Sequence, residues 1–191
     1  EDAALVVLLG DHAYVDAPLG RVEEVAGLAL ANGPAQLLDP YVWTPLASRP
    51  VLGPADHFWA DHDTELPAGA DPLDPEQCDE LRAQVSDAEW HESGFDRTPH
   101  ASFGVFEDDR LIAASVLTTL WGWPVDVGIL VAPDARGRGL GSRVAAAALA
   151  AGVALSGFAA FRVARTNAAS RGVAGRLGLT AYGANLAVPL A

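Results

Sequence analysis

Runs of apolar residues and their spacing outline most of the elements in this chain. Val125 to Val131 is apolar and β-branched except for Asp126 and Gly128, which reads as a buried central strand, and Pro133 ends it. Ser142 to Ser156 is almost entirely Ala, Val and Leu, a strong helix former with two apolar faces. Phe158 to Val163 is a second short apolar strand. Asn167-Ala168-Ala169-Ser170 then opens a helix to Leu177, closed by Gly178 at the position after its C-cap. Upstream, Ala101–Phe106 and Leu111–Thr119 read as antiparallel strands around Glu107-Asp108-Asp109-Arg110, and Trp121-Gly122-Trp123-Pro124 leads into the central strand. Some of these tryptophans are expected to line a pocket. Asp74-Pro75-Glu76 has the chemistry of a helix start, and the pattern predicts one helix from there to about Trp90, with Leu81 and Val85 on one face.

The N-terminal part is less regular. Leu5–Leu9 and Ala13–Ala17 read as two short strands around Gly10-Asp11-His12, and Leu19–Ala31 carries apolar residues at helical spacing. Prolines 34, 40, 45, 50 and 54 then interrupt the chain, with a strand expected around Phe58 and a Pro/Gly linker at Pro67–Asp71. The reading is an N-terminal α/β appendage over residues 1–65, able to extend the sheet of the main domain at residues 66–191. The length suffices for a substantial core.

Between the central strand and the Ala-rich helix lie Gly137, Gly139 and Gly141, interleaved with Arg136 and Arg138. A strand, a glycine-rich turn and a helix opening on that turn form an anion cradle: the first helical N–H groups lack intrahelical partners, the dipole is positive there, and glycine allows close approach. The spacing is neither the dinucleotide fingerprint nor a P-loop, for which the chain, lacking lysine altogether, has no Lys.

Val131-Ala132-Pro133 followed by Arg136, Gly139 and Gly141 resembles the acyl-CoA pyrophosphate loop of the GNAT (GCN5-related) N-acetyltransferase superfamily, and Asn167 with Leu177-Gly178-Leu179 resembles that family's second motif at a matching interval. The resemblance covers roughly Asp71 to Ala191. It implies an α/β (α+β) fold, a mixed and mostly antiparallel twisted sheet flanked by helices. It also implies direct transfer of an acetyl group from acetyl-CoA, as acyl-donor substrate, to the amine of a small molecule. The residues it places on the cofactor are Leu130, Val131, Arg136, Gly137, Arg138, Gly139, Leu140, Gly141, Ser142, Asn167 and Ser170. A backbone N–H near Leu130 or Val131 would polarise the thioester. Many family members carry a tyrosine acid in the second helix; the matching position here is Ala174, which leaves Tyr182 as the nearest substitute. Asp126, Glu89 and Glu92 compete as the base. The missing tyrosine also fits an alternative, a non-catalytic acyl-CoA-binding sensor or scaffold. The N-terminal segment could instead be the remnant of a tandem second copy, although no glycine motif recurs in it.

Charge adds a division. The formal net charge is −13, yet from Arg136 onward there are seven arginines and no acid, so the preceding residues carry a net of −20. A positive C-terminal part suits a phosphate-bearing cofactor, and the acidic remainder suits either solubility or the steering of a cationic amine. Cys78 is the lone cysteine, which excludes an internal disulfide and fits a cytoplasmic setting; its charged surroundings do not suggest a nucleophile. His57, Asp61, His62 and Asp63 match no metal-ligand spacing, and no metal is expected. No apolar run approaches the length of a membrane span. The expected partners are therefore a small-molecule amine, with no nucleic acid and no membrane, and the sequence allows a homodimer.

Overall fold

A computed structural model describes residues 2–191. The chain forms two compact units, Glu1–Phe58 with Arg162–Ala168 and Ala181–Ala191, and Trp59–Phe161 with Ala169–Thr180. The division differs from a cut at residue 65, because the chain returns to the first unit twice. What brings it back last is strand pairing rather than any change in composition.

In the first unit, β1 (Ala3–Leu9) and β2 (His12–Asp16) form a hairpin, Leu9 opposite His12, turning at Gly10 with φ 57°. On its other edge β1 pairs antiparallel with β9 (Thr180–Pro189), from Ala3↔Pro189 to Leu9↔Gly183, and β3 (Leu52–Asp61) lies beyond β9. Alternate residues share a face, so Ala4 and Val6 of β1 join Ala184, Leu186 and Val188 of β9 in one core. Val25 of α1 (Val22–Leu30), Leu37, Leu38, Trp43 and Leu190 join it. The proline-rich stretch is not open loop: Pro34–Leu38 and Pro40–Trp43 are tight 3-10 turns, and the buried Trp43 Nε1 donates to the Leu37 carbonyl at 2.8 Å. β3 is longer than the pattern around Phe58 suggests, since it runs through Pro54, whose carbonyl accepts from the Arg165 amide at 2.9 Å.

The second unit holds the mixed, mostly antiparallel sheet flanked by helices. Its strands lie in the order β8 (Phe158–Ala164), β7 (Trp123–Val131), β6 (Arg110–Leu120), β5 (Ala101–Glu107) and β4 (Asp71–Leu73). All neighbours are antiparallel except β7 and β8, which run parallel with Asp126 opposite Ala160. Helix α4 (Leu140–Ser156) explains its own composition, because Val144, Ala145, Ala146, Ala148 and Leu149 are all buried. The last helix is α5 (Ala168–Arg176). Trp121, with φ 51°, and Trp123 are exposed at the β6–β7 turn.

The single helix expected over 74–90 is broken. Pro75–Cys78 is a 3-10 turn, α2 covers Asp79–Arg82, and α3 covers Asp87–Glu92. Helix periodicity from Leu81 to Val85 hides the break, but Ser86 and Glu89 form a capping box that starts a new helix: the Ser86 hydroxyl accepts from the Glu89 amide, and the Glu89 carboxylate accepts from the Ser86 amide at 3.0 Å. The same carboxylate accepts from Arg136 at 2.7 Å. Donation from Ser86 first, and then from Arg136, holds Glu89 below the ordinary glutamate range. The chain after α3 packs hard on the central strand. A Cβ added at Gly128 of β7 would lie 1.7 Å from the Ser93 carbonyl oxygen.

Two outcomes are expected. Gly128→Ala must push the Ser93 segment off β7 and should lose ~2 kcal/mol or more in denaturant unfolding, whereas Gly175→Ala, in α5 with open space around its Cβ position, should gain ~0.5 kcal/mol or more. Because the Glu89 pKa is lowered on folding, its contribution is complete above the ordinary value of 4.5 and disappears as pH falls through the lower folded value. The melting-temperature gap between the wild type and Glu89→Gln should therefore be constant near neutrality and close in acid. The pair is half-exposed, so the gap corresponds to only ~0.5 kcal/mol.

Candidate active site

The turn at the head of α4 is built from backbone geometry. Gly137 and Gly139 have φ of 78° and 80°, a left-handed conformation that side chains resist, and nothing lies within 4 Å of a Cβ at either position. Conformation demands glycine there, and the space beside it is open. Gly141 has a different reason, since its Cβ position is already 3.3 Å from Val173 of α5 and 3.7 Å from Val131. It lets the first turn of α4 lie close on α5 and β7. The Ser142 amide already donates to the Gly139 carbonyl at 3.1 Å. The amides ahead of it lie outside the helical ladder and at the positive end of a 17-residue helix. Backbone N–H groups exposed at a helix N-terminus in this way are suited to an anion.

The strand that feeds the turn has a defined polarity. Ala132 donates to the Ile112 carbonyl of β6 at 2.9 Å, and amides alternate along a strand. The Leu130 amide, two residues back, thus also faces β6, opposite Ala114. The Val131 amide faces the other way, toward the β8 side. Among the described residues β7 and β8 are registered only at Asp126↔Ala160, well before Val131 is reached. Of the two amides considered for polarising a thioester, Val131 is therefore the one aimed into the opening between the strands. Arg136 braces this end of β7, with its Nε donating to the Val131 carbonyl at 3.2 Å and its Nη2 to Glu89.

Several of the other late arginines also bind the protein itself. Arg138 pairs with Glu107 at 2.5 Å, Arg143 donates to the Gly69 carbonyl at 2.6 Å, and Arg165 pairs with Asp56 at 2.7 Å. Arg176 donates to the Ser142 hydroxyl at 3.0 Å, which brings a guanidinium from the end of α5 to the first turn of α4. The sequence motif did not include Arg176; its place in the last turn of α5, after the matching Asn167, was the available signal.

On the acceptor side, Asp126 is buried on β7 and paired with Arg97 at 3.0 Å. Arg97 was not singled out from the sequence, and nothing in its neighbourhood would have marked it. Glu89 is committed to Ser86 and Arg136, while Glu92 is exposed at the end of α3. Tyr182 lies on β9 at the surface, its ring centroid 5.6 Å from that of His57, which is itself bonded to Asn185 at 2.7 Å. Asn167 is half-buried just ahead of α5, its amide donating to the Ala164 carbonyl at 2.8 Å, and Ser170 lies in the first turn of the helix. Ala174 is fully buried, so that helix presents no proton donor there. Burial pushes the Cys78 thiol up to about 11, which keeps it protonated and unreactive at neutral pH. Asp61 accepts from the Asp63 amide and the Thr64 hydroxyl, and among the described residues no three His, Cys, Asp or Glu converge as a metal-ligand set. No helix of the described residues is long and apolar enough to cross a membrane.

Known proteins share this fold. No curated protein matches the sequence. Among solved structures, the fold is similar to a GNAT-family acetyltransferase from Colwellia psychrerythraea, at 14% identity and a TM-score of 0.58, covering 94% of this chain and 76% of that one. It is similar to a GCN5-related N-acetyltransferase from Kribbella flavida, at 18% identity and a TM-score of 0.56, covering 79% and 63% respectively. It is also similar to a tandem GNAT protein from the clavulanic acid biosynthesis pathway, at 15% identity and a TM-score of 0.54, covering 98% of this chain and 64% of that chain. At these identities the likeness is one of fold. The sequence itself matches the Acetyltransferase (GNAT) family over residues 57–179, a span that contains the glycine turn, the parted strands β7 and β8, and α5. The chain belongs to the GNAT acetyltransferase family.

Proposed function

We propose that this protein transfers an acetyl group from acetyl-CoA to the amine of a small molecule, directly and within a ternary complex. The observation that carries the reading is the left-handed glycine turn at the head of α4, set next to a Val131 amide that faces the gap beside β7. The turn would take the pyrophosphate on backbone amides, with Arg136, Arg138 and Ser142 around it. The Val131 amide would polarise the thioester carbonyl. The amine nitrogen bonds to the carbonyl carbon, the carbon–sulfur bond breaks, and the thiolate takes up a proton. Much of the rate comes from holding two substrates in line. Asn167 and Ser170 would meet the pantetheine arm, and Tyr182 would return the proton to sulfur. Of the carboxylates, Asp126 fits the base best. It is fixed on the strand that carries Val131, whereas Glu89 is held ionised by its own hydrogen bonds and Glu92 is exposed. The lone protonated cysteine supports a cytoplasmic setting.

A second reading, an acyl-CoA-binding sensor, is favoured by Ala174 standing where many relatives carry tyrosine and by the ion pairing of both Asp126 and Glu89. Thiol release from acetyl-CoA against a panel of amines separates the two readings: stabilisation by CoA without turnover identifies the sensor.

The cofactor site has its own tests. Asp and Asn both tolerate left-handed backbone, so Gly139→Asn and Gly139→Asp should fold alike. The Asp variant should lose roughly tenfold or more in CoA affinity by calorimetry, ~1.4 kcal/mol, while Asn loses less; equal affinities would place the pyrophosphate elsewhere. Asp caps a helix about as well as Asn but offers no donor. Asn167→Asp should thus keep its melting temperature without cofactor and raise the Michaelis constant for acetyl-CoA several-fold, and an unmoved constant would leave Asn167 as a helix cap.

A further inference from the structure

We propose that Arg176, at the end of α5, is the guanidinium that meets the cofactor's pyrophosphate at the head of α4, in place of the arginines within the glycine turn. The inference rests on the acyl-CoA reading for its ligand, and it adds a binding residue from outside the turn.

The arginines next to the turn in sequence are already committed. Arg138 donates to both carboxylate oxygens of Glu107, at 3.0 and 2.5 Å. Arg136 is shared between the Val131 carbonyl and the Glu89 carboxylate. Arg143, in the first turn of α4, turns to the Gly69 carbonyl, its Nε at 3.0 Å and its Nη2 at 2.6 Å. Arg176 differs. Its Nε donates to the Ser142 hydroxyl at 3.0 Å, and among the described residues no carboxylate pairs with it. Asp61, Asp63 and Glu65 line a pocket that Arg176 also borders, but none of the three bonds to it.

The course of the side chain has its own cause. A cation in the last turn of a helix is ordinarily explained by the negative end of the dipole. This guanidinium lies a turn back instead, over Gly172, where an added Cβ would stand 3.3 Å from Nη1 and 3.9 Å from Cζ. Helical side chains lean toward the N-terminus, so a residue four positions earlier is within reach. Gly172 is not among the glycines with positive φ, and glycine inside a helix costs ~1 kcal/mol relative to alanine. Backbone conformation does not call for it; the space beside it is what the guanidinium occupies. Gly172 thus leaves room for Arg176 to lie along α5, and Ser142 ties it to α4.

The chemistry that results suits a phosphate. The Ser142 hydroxyl accepts from Nε, so its own hydrogen remains available, and among the described residues neither Nη group of Arg176 donates to a protein acceptor. A hydroxyl donor, a guanidinium and the backbone amides of the turn are brought together at the first turn of α4. A planar guanidinium makes two parallel bonds to phosphate oxygens. Arg138 can do so fully only by leaving Glu107, whereas Arg176 has a single neutral partner to keep or release.

The test is calorimetric titration of the full chain at low salt with CoA, dephospho-CoA and ADP. Arg176→Gln should weaken all three about tenfold, the loss expected when a charge-assisted pair is removed, and should melt with the wild type when no ligand is present. Arg138→Gln should weaken them less than about twofold, because its charge is matched by Glu107 at an exposed site. Arg176→Lys keeps the charge and should recover part of the loss, and the Arg176 effect should shrink as salt is added. Unchanged affinity in Arg176→Gln, or equal losses in Arg176→Gln and Arg138→Gln, overturns the inference. A loss with CoA that is absent with dephospho-CoA and ADP assigns Arg176 to the 3′-phosphate and also overturns it. The two claims separate on further arms. ADP binding weakened by Arg176→Gln, with CoA binding no tighter than ADP and no thiol release from acetyl-CoA, retains the phosphate seat and removes the acyl-CoA reading. CoA binding with thiol release from acetyl-CoA and no effect of Arg176→Gln retains that reading and removes the seat.

Discussion

The parting of β7 from β8 is the constraint on which the second unit's chemistry depends. Two parallel strands that stayed paired would consume the amides on both edges of β7. Here the registered pairing is at Asp126 and Ala160, near the middle of β7, and the Val131 amide at its far end faces the space that opens. Antiparallel pairing with β6 continues past that point, as the Ala132 donation to Ile112 shows, so one edge of the strand stays paired beyond the register with β8. Backbone polar groups left in this way need a partner. The glycine turn that follows meets the same need at the head of α4. Strand edge and helix end thus place backbone donors outside the regular ladders in succession along one stretch of chain.

The arginines show how such a site is kept from collapsing or repelling. Seven of them in a segment without acids would be a strongly repulsive array. The fold instead pairs Arg136, Arg138 and Arg165 with Glu89, Glu107 and Asp56, all drawn from the acidic part of the chain. The division of charge along the sequence is therefore partly a division between partners. The seven positive charges cannot all be counted as available to phosphate, and the backbone amides of the turn carry a larger part of anion recognition than charge counting suggests. Donors held at short distances on a rigid turn need no reorganisation to act.

What could be read from the sequence follows from which interactions are local. The glycine turn was legible because left-handed backbone and close approach restrict residue identity at single positions, and α4 because its buried faces need small apolar residues. The break between α2 and α3 was readable in principle, since Ser86 and Glu89 have capping-box spacing, but Leu81 and Val85 continue the helical period across it and mask the stop. The division into units was not legible. The Pro/Gly stretch at Pro67–Asp71 suggested a linker, while the pairing of β9 with β1 along seven positions draws the C-terminus into the first unit. Proline spacing likewise marked interruptions without showing that the chain makes 3-10 turns there, with Trp43 bonded back to Leu37.

The acceptor side was the least legible, for a reason that also bears on its chemistry. Arg97 and Asp126 are 29 residues apart, and neither residue type nor spacing announces that they meet. Gly128 reads as a flaw in an apolar strand until the Ser93 carbonyl is seen to occupy its side-chain space. The glycine and the aspartate are then one feature: the two positions of β7 that break its apolar pattern are those against which the Ser93–Arg97 segment lies. A buried strand tolerates a carboxylate and a missing side chain together only where another segment supplies the complementary cation and backbone. The irregularity in the sequence thus encodes the docking of that segment, and its identity cannot be read without the fold that brings it there.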